Sequence, residues 1–512
     1  MVEARRFPRA GVATPHYLAS AAGLAALAEG GNAVDAVVAA NLALGVVAPY
    51  FCGYGGDLFA IVWDGDLDGY LGSGRSPERL SIDALRAEHE TMPLLGPHAV
   101  TVPGAPAGWF ALLERWGTRS FGAVAGHALR YARDGFEVGP WAGSYFRACR
   151  GLYADFPEWT ATYGAADTGT RLRQPGLVRT IERLAADGAD AYYRGPMAEA
   201  IAAAVQAAGG VLAPGDLARH EGRFGAPLRA TYRGVEVAEL PPQTQGVAPL
   251  EALRILDGLD LPDDGAARQH LLVEALKLAL ADRDDHVTDP DAMRGPVEAL
   301  LADQHAADRR ARIDPERAAP PAANAARPGG TAYLCAADGD GLLVSLIQSN
   351  FLAFGSGVHV PEWGINLNNR GSSFTLEASH VNALAPAKLP MHTLIPALAL
   401  RDGAPWLVFG SEGADAQGQV HVQLLVRMLH DGLDPQEAID AARFRIDWGS
   451  EFLRVEQAAG PDVIEGLRTR GHTVRQVGTH NSGMGLAHAI APTPNGYLVA
   501  TDPRAEGAAL GL

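Results

Sequence analysis

The chain of 512 residues, 47% hydrophobic and 20% charged, is long enough to bury one large core or two ordinary ones. With 59 acidic against 42 basic residues, a formal net charge of -17 and no Lys/Arg-rich run, it lacks the electrostatics of a non-specific nucleic-acid binder. Its three cysteines, Cys52, Cys149 and Cys335, are too far apart for a zinc motif and odd in number for a disulfide framework, so they read as reduced thiols of a cytoplasmic protein.

From the N-terminus, Arg5, Arg6 and Arg9 precede an apolar stretch that contains Glu29 and runs into Gly30-Asp35 without a cleavage-like site, so neither a signal peptide nor a membrane span is expected. The Ala/Leu/Val-rich runs 17-29 and 33-47 predict two buried helices broken at Gly30-Gly31. Residues 57-63 read as a core strand. Helical patterns dominate 105-260, with stops at Gly135, Gly195 and Gly209-Gly210, and the loop Pro241-Pro242-Gln243-Thr244-Gln245-Gly246 precedes another helix. A further helix is expected over 268-283. Asp282, Asp284 and Asp285 at its end could be drawn as a metal cluster, but Arg283 and the turn-like Thr288-Asp289-Pro290 favour a solvated helix end, and no metal is expected.

Pro315, Pro320, Pro321 and Pro328, among many alanines, make 315-330 an exposed irregular segment by expectation. The texture then reverses into strand, turn and strand over 333-337, 338-341 and 342-347. More strands are expected at 355-360, 394-400 and 405-409, a helix over 417-430, and strand-like runs between glycine turns over 471-505. The chain thus reads as helix-rich to about 330 and strand-rich after it, with strands in both parts and one shared core. Thr331 sits at the junction; by local pattern alone it is an ordinary strand-entry threonine.

A set of motifs in order says more: Gly30-Gly31-Asn32-Ala33-Val34-Asp35-Ala36, Cys52-Gly53-Tyr54-Gly55-Gly56-Asp57, Val102-Pro103-Gly104, Tyr193-Arg194-Gly195, Pro241-Gly246, Asn368-Asn369-Arg370-Gly371 and Asp502-Pro503-Arg504. On these the chain resembles, nearly end to end, the gamma-glutamyltranspeptidase-like proteins of the N-terminal nucleophile (Ntn) hydrolase superfamily. The resemblance implies an α+β four-layer αββα sandwich formed jointly by two chains after self-cleavage. The cut falls between Gly330 and Thr331, giving a large subunit 1-330 and a small subunit 331-512 that stay associated, with a homodimer of that pair left open.

The implied chemistry makes Thr331 both nucleophile and base. A threonine hydroxyl is a weak nucleophile, and a freed α-amine with a pKa of about 7.7-8.0 is a suitable base at neutral pH. No organic cofactor is implied. Ser349 aligns with a hydroxyl residue that hydrogen-bonds the nucleophile, and Gly413 with Ala414 aligns with a Gly-Gly pair whose N-H groups bind the oxyanion. The second glycine of that pair has become alanine, and Ala332 replaces a threonine that often follows the nucleophile. Ser411 reads as a plain turn residue.

The substrate side departs from the glutathione-handling members. Where those hold an α-amino group with Asn, Gln and Asp, this chain has Phe351, Arg370 and Ser373, and an arginine repels an ammonium. Arg75 lies two positions off the register of the family's carboxylate-binding arginine, and His392-Thr393 replaces a serine pair, as in the oxamate-amidohydrolase-like branch. Arg75 and Arg370 suit an anionic acyl group. Each has a bland reading as a structural ion-pair or core residue, and His480 and His488 stay unassigned. The expectation is a small-molecule amidohydrolase acting on an oxamate-like amide. The alternatives are a glutathione hydrolase or γ-glutamyltransferase, a β-lactam side-chain acylase, or an unprocessed binding relative.

Overall fold

The computed structural model describes residues 4-320 and 330-512, so the part of the Pro/Ala-rich segment at 321-329 lies outside the described residues. Two antiparallel sheets, each of seven strands, form the centre. The first runs in the order Arg5–Phe7, Gly496–Thr501, Ala487–Thr493, Ala404–Ser411, Ala397–Arg401, Val235–Glu239, Leu228–Tyr232. The second runs Ala508–Gly511, Gly11–Thr14, Gly330–Ala337, Leu343–Phe351, Asp57–Trp63, Leu67–Gly72, Arg223–Gly225.

Side chains of period two sort into three apolar layers. On Gly330–Ala337, Tyr333, Cys335 and Ala337 join the layer between the sheets, while Ala332, Leu334 and Ala336 face a helical layer. Asp57–Trp63 repeats this, with Phe59 and Ile61 between the sheets and Leu58, Ala60 and Val62 under the helices. In the other sheet Leu398 and Val408 point to the middle, and Ala397, Ala399, Leu407 and Phe409 pack under the second helical layer. These strands are buried on both faces, which is why they read as continuous apolar runs rather than clean alternation.

The first helical layer contains Tyr17–Ala28 and Ala33–Val47, and every residue of the latter is buried. Asn32 and Asp35 form a capping box at its start, which accounts for the Gly-Gly-Asn-Ala-Val-Asp motif. The second layer contains Val247–Asp257, Gly265–His286 and Ala416–His430. The whole is an αββα sandwich, and each sheet draws strands from both sides of residue 330.

Three expectations are corrected. The helical stretch 105-260 contains the strands Arg223–Gly225, Leu228–Tyr232 and Val235–Glu239. Their signal was Arg233-Gly234, where positive φ at both residues (47° and 78°) makes the tight primed turn of a hairpin. Of the strand expected over 355-360, only His359–Val360 forms. The acidic helix end is solvated only at Asp285: Asp282 and Asp284 are buried, the first on Arg309, the second on Arg283 and the indole N-H of Trp448.

The Asp502-Pro503-Arg504 motif is a fully buried charge network. Asp502 accepts from Arg443 at 2.7 Å and Arg504 at 3.1 Å, and Arg504 also pairs with Glu456 at 2.6 Å. Burial pushes the Asp502 carboxyl up, but the two guanidiniums win and hold it below its ordinary value. Asp502→Asn strands part of this charge, and chemical denaturation is expected to show a loss of about 3-5 kcal/mol. A depressed carboxylate stabilises above its ordinary pKa and stops doing so as pH falls, so the deficit of the variant narrows in acid.

Candidate active site

Thr331 is 1% exposed, on a strand whose register with Leu343–Phe351 is irregular. Gly330 pairs with Phe351 and Ala332 with Gln348, and the irregularity between them leaves Thr331 opposite an extra residue. The Thr331 hydroxyl donates to Ser349 Oγ at 3.2 Å, and Ser349 donates to the Gly330 carbonyl at 2.6 Å. Ser349 also accepts the N-H of Phe351 at 2.7 Å. The hydroxyl of Thr331 is therefore linked through one serine to the carbonyl immediately before it. Gly56 lies close against this serine: a Cβ there would fall 2.4 Å from the Ser349 carbonyl oxygen, which gives the Gly55-Gly56 pair a steric reason.

The stretch Gly410-Ala414 comes near Thr331 at Glu412. The main-chain N-H of Thr331 faces the carboxyl of Glu412 and pulls its pKa down, against the upward push of burial. Gly413 has φ 127° and Ala414 φ 54°, so the alanine adopts the left-handed conformation that a second glycine would take freely. Among the described residues neither N-H has a hydrogen-bond partner, as an anion site requires. Ala414→Gly relieves this backbone and is expected to raise stability by up to about 1 kcal/mol in chemical denaturation.

Arg370 is 1% exposed and sits with its guanidinium 4.1 Å above the ring of Phe351, whose own φ of 82° is left-handed. Its Nη1 donates to Ser373 Oγ and to Thr393 Oγ1, both at 3.3 Å. Next to it His392 Nε2 lies 3.0 Å from Asp57 Oδ2, and Asp57 is the strand partner of Ser349. His392 Nδ1 accepts the N-H of Leu394, so Nε2 carries the proton and donates it to Asp57. Burial drives His392 well below its ordinary value, and Arg370 adds to this, so the ring is neutral. Burial pushes Asp57 up to about 7, against the pull of the Arg370 charge.

The structure thus brings Thr331, Ser349, Phe351, Arg370, Ser373, His392 and Thr393 into one chain of contacts beside Gly413-Ala414. Arg75 stands elsewhere. Its side chain is 45% exposed, paired with Asp289 at 2.8 Å and with the Ala387 carbonyl at 2.9 Å. It lines a cavity of about 380 Å³ with Ser73, Arg219, Arg223 and Asp291. Ser73 of the same segment hydrogen-bonds Asp57 at 3.3 Å.

Several contributors were not singled out from the sequence. Gln245 donates to the carbonyls of both Thr393 and Ala414, at 2.8 and 3.0 Å, and so joins the loop that carries His392 and Thr393 to the 410-414 turn. Arg283 holds Gln245 Oε1 and Asp415 Oδ1, each at 2.6 Å. Asn368 binds the Gly55 and Thr101 carbonyls and the N-H of Arg370, seating the arginine. Asp57, Gln245 and Asn368 all lay inside quoted motifs, but spacing alone did not say what they would touch.

Two facing antiparallel sheets between helical layers, with a buried threonine on a central strand, define the class: this is an Ntn-hydrolase sandwich. The gamma-glutamyltranspeptidase family model matches residues 19-512. The chain is 37% identical over 517 residues to the glutathione hydrolase-like YwrD proenzyme of Bacillus subtilis, covering 98% of each. It is 37% identical over 515 residues to the oxamate amidohydrolase proenzyme of Klebsiella pneumoniae, covering 97% of each. A cephalosporin acylase from Bacillus halodurans superposes with a TM-score of 0.95 at 36% identity, covering 100% of this chain and 97% of that one. The chain belongs to the gamma-glutamyltranspeptidase family and is an amide-bond hydrolase. Among the described residues no helix is long and apolar enough to cross a membrane.

Proposed function

We propose that Thr331 is the nucleophile and that the chain activates itself by cutting between Gly330 and Thr331, leaving subunits 1-330 and 331-512 in one fold. The observation that carries this is the relay from the Thr331 hydroxyl through Ser349 to the Gly330 carbonyl. Attack of Thr331 Oγ on that carbonyl carbon breaks the C-N bond, and the hydroxyl proton ends on the nitrogen. Water then hydrolyses the ester, giving the Gly330 carboxylate and a free Thr331 α-amine. With a substrate amide, the amine takes the hydroxyl proton and Oγ attacks the acyl carbon. The N-H groups of Gly413 and Ala414 receive the oxyanion, the leaving amine departs protonated, and water resolves the acyl-enzyme.

The substrate we propose is a small amide whose acyl part is anionic and lacks an α-amino group. Arg370, buried beside Phe351 and hydrogen-bonded to Ser373 and Thr393, supports it, because a buried guanidinium attracts a carboxylate and repels an ammonium. The likeness to an oxamate amidohydrolase points the same way. A longer acyl chain is a second reading, favoured by the likeness to a cephalosporin acylase. Three free buried thiols suit a cytoplasmic setting. A panel of oxamate, a γ-glutamyl anilide and an acyl-cephalosporin separates the readings. Turnover of the γ-glutamyl anilide above oxamate would sink the anionic, amine-free assignment.

A further inference from the structure

We propose that Glu412 holds the α-amino nitrogen of Thr331 after the chain is cut, and so sets the pH at which that amine can act as the base. The proposal rests on the Thr331 reading above and adds a positioning residue to it. Its starting point is the arrangement already present in the continuous chain, where Thr331 has no register partner on the neighbouring strand Leu343–Phe351 and its N-H faces the Glu412 carboxyl. Cutting changes that nitrogen from an amide to an amine without requiring it to move.

Glu412 is held in place from both sides of its own backbone. Its N-H donates to the Leu486 carbonyl at 3.0 Å, and its carbonyl accepts the Ser411 hydroxyl at 2.9 Å. The side chain is buried, and the charged or titratable groups that act on it are Arg445, Arg443, Asp502 and Tyr145. Those cations have other duties: Arg443 pairs with Asp502 and binds the Gly485 carbonyl, and Arg445 faces Asp447 and binds the Gly483 carbonyl. Among the described residues, no lysine or arginine forms an ion pair with Glu412. The ammonium created by the cut is the cation that meets its carboxylate.

Burial pushes the Glu412 carboxyl up to about 8, partly offset by Arg445. That lies beside the ordinary range of a terminal amine, about 7.7-8.0, so carboxyl and amine compete for one proton near neutrality. An adjacent carboxylate favours the ammonium, which is the inactive form of the base. The amine of this enzyme therefore becomes available only above the pH at which an ordinary terminal amine would.

The test is a titration of the Thr331 amine in the full, self-cut protein, with carbon-13-labelled threonine and the Thr331 Cα shift as readout, for wild type and Glu412→Gln. Glutamine keeps an acceptor for the Thr331 N-H, so the variant is expected to cut. Its amine pKa is expected to fall by about one unit or more relative to wild type, as the loss of a neighbouring carboxylate predicts. The acid limb of kcat/KM should move down by the same amount, a change that a packing role would not produce. Equal amine pKa values in the two proteins overturn the proposal. If Glu412→Gln does not fold or cut, wild type alone decides: an amine pKa above about 8 supports it, and one at or below the ordinary terminal value overturns it. Intact mass keeps the two ideas apart, because a wild-type protein without a chain starting at Thr331 fails the nucleophile reading before any titration begins.

Discussion

Thr331→Ala is expected to yield a single uncut chain with amide hydrolysis reduced by at least about 10³-fold, since removing a covalent nucleophile costs on that order or more. The expectation has two independent readouts, intact mass and turnover. The substitution removes the hydroxyl and one methyl group, and the strand Gly330–Ala337 is buried and paired with neighbours on both edges, so the fold should survive. Thr331→Ser keeps the hydroxyl and should restore both the cut and part of the activity. A Thr331→Ala protein that still cuts at the same bond would remove the nucleophile assignment, because Ser349 would then have to attack a carbonyl that it contacts as a donor.

Arg370→Gln is the second large effect. A charge-assisted contact to a substrate carboxylate contributes about 1.5-3 kcal/mol, so kcat/KM for oxamate should fall by roughly 10- to 10²-fold. The loss is expected mainly in KM, with self-cleavage retained, since the relay through Ser349 does not involve Arg370. Arg370 also pulls against burial at Asp57, whose carboxyl stands at about 7. Without that pull Asp57 rises further, so the variant carries a protonated Asp57 to higher pH than wild type. A neutral substrate analogue should lose much less, and equal losses for charged and neutral amides would count against an anion-binding role.

The legible and illegible parts of this molecule divide along physical lines. Local patterns found the helices Tyr17–Ala28 and Ala33–Val47, because a buried Ala/Val helix with a capping box is written in consecutive residues. They found the strand pair after Thr331 for the same reason. The hairpin Leu228–Tyr232 and Val235–Glu239 was hidden inside an apparently helical stretch, where its turn residues Arg233-Gly234 carried the only strong signal.

The site followed a different rule. Thr331, Ser349, Arg370 and Thr393 were reached through motif resemblance, and the structure does place them in contact. Gln245 lay within a quoted motif and Glu412 between the named residues Ser411 and Gly413, yet the groups they meet are tens of residues or more away in sequence, and no spacing encodes such a meeting. Arg75 shows the converse: a plausible residue type two positions out of register faces Asp289 instead. The burial of Asp282 and Asp284 was missed because helix-end acids are usually solvated, and only tertiary neighbours supply Arg309 and Trp448.

Both central sheets take strands from either side of residue 330, and Gly330–Ala337 lies between Gly11–Thr14 and Leu343–Phe351. The relay that would open the chain exists only once those distant strands have found each other. Self-cleavage at this bond would therefore act as a quality check on assembly, leaving misfolded chains inert. The fragments of a correctly folded molecule would stay woven through one another, parting only when the sheets themselves come undone.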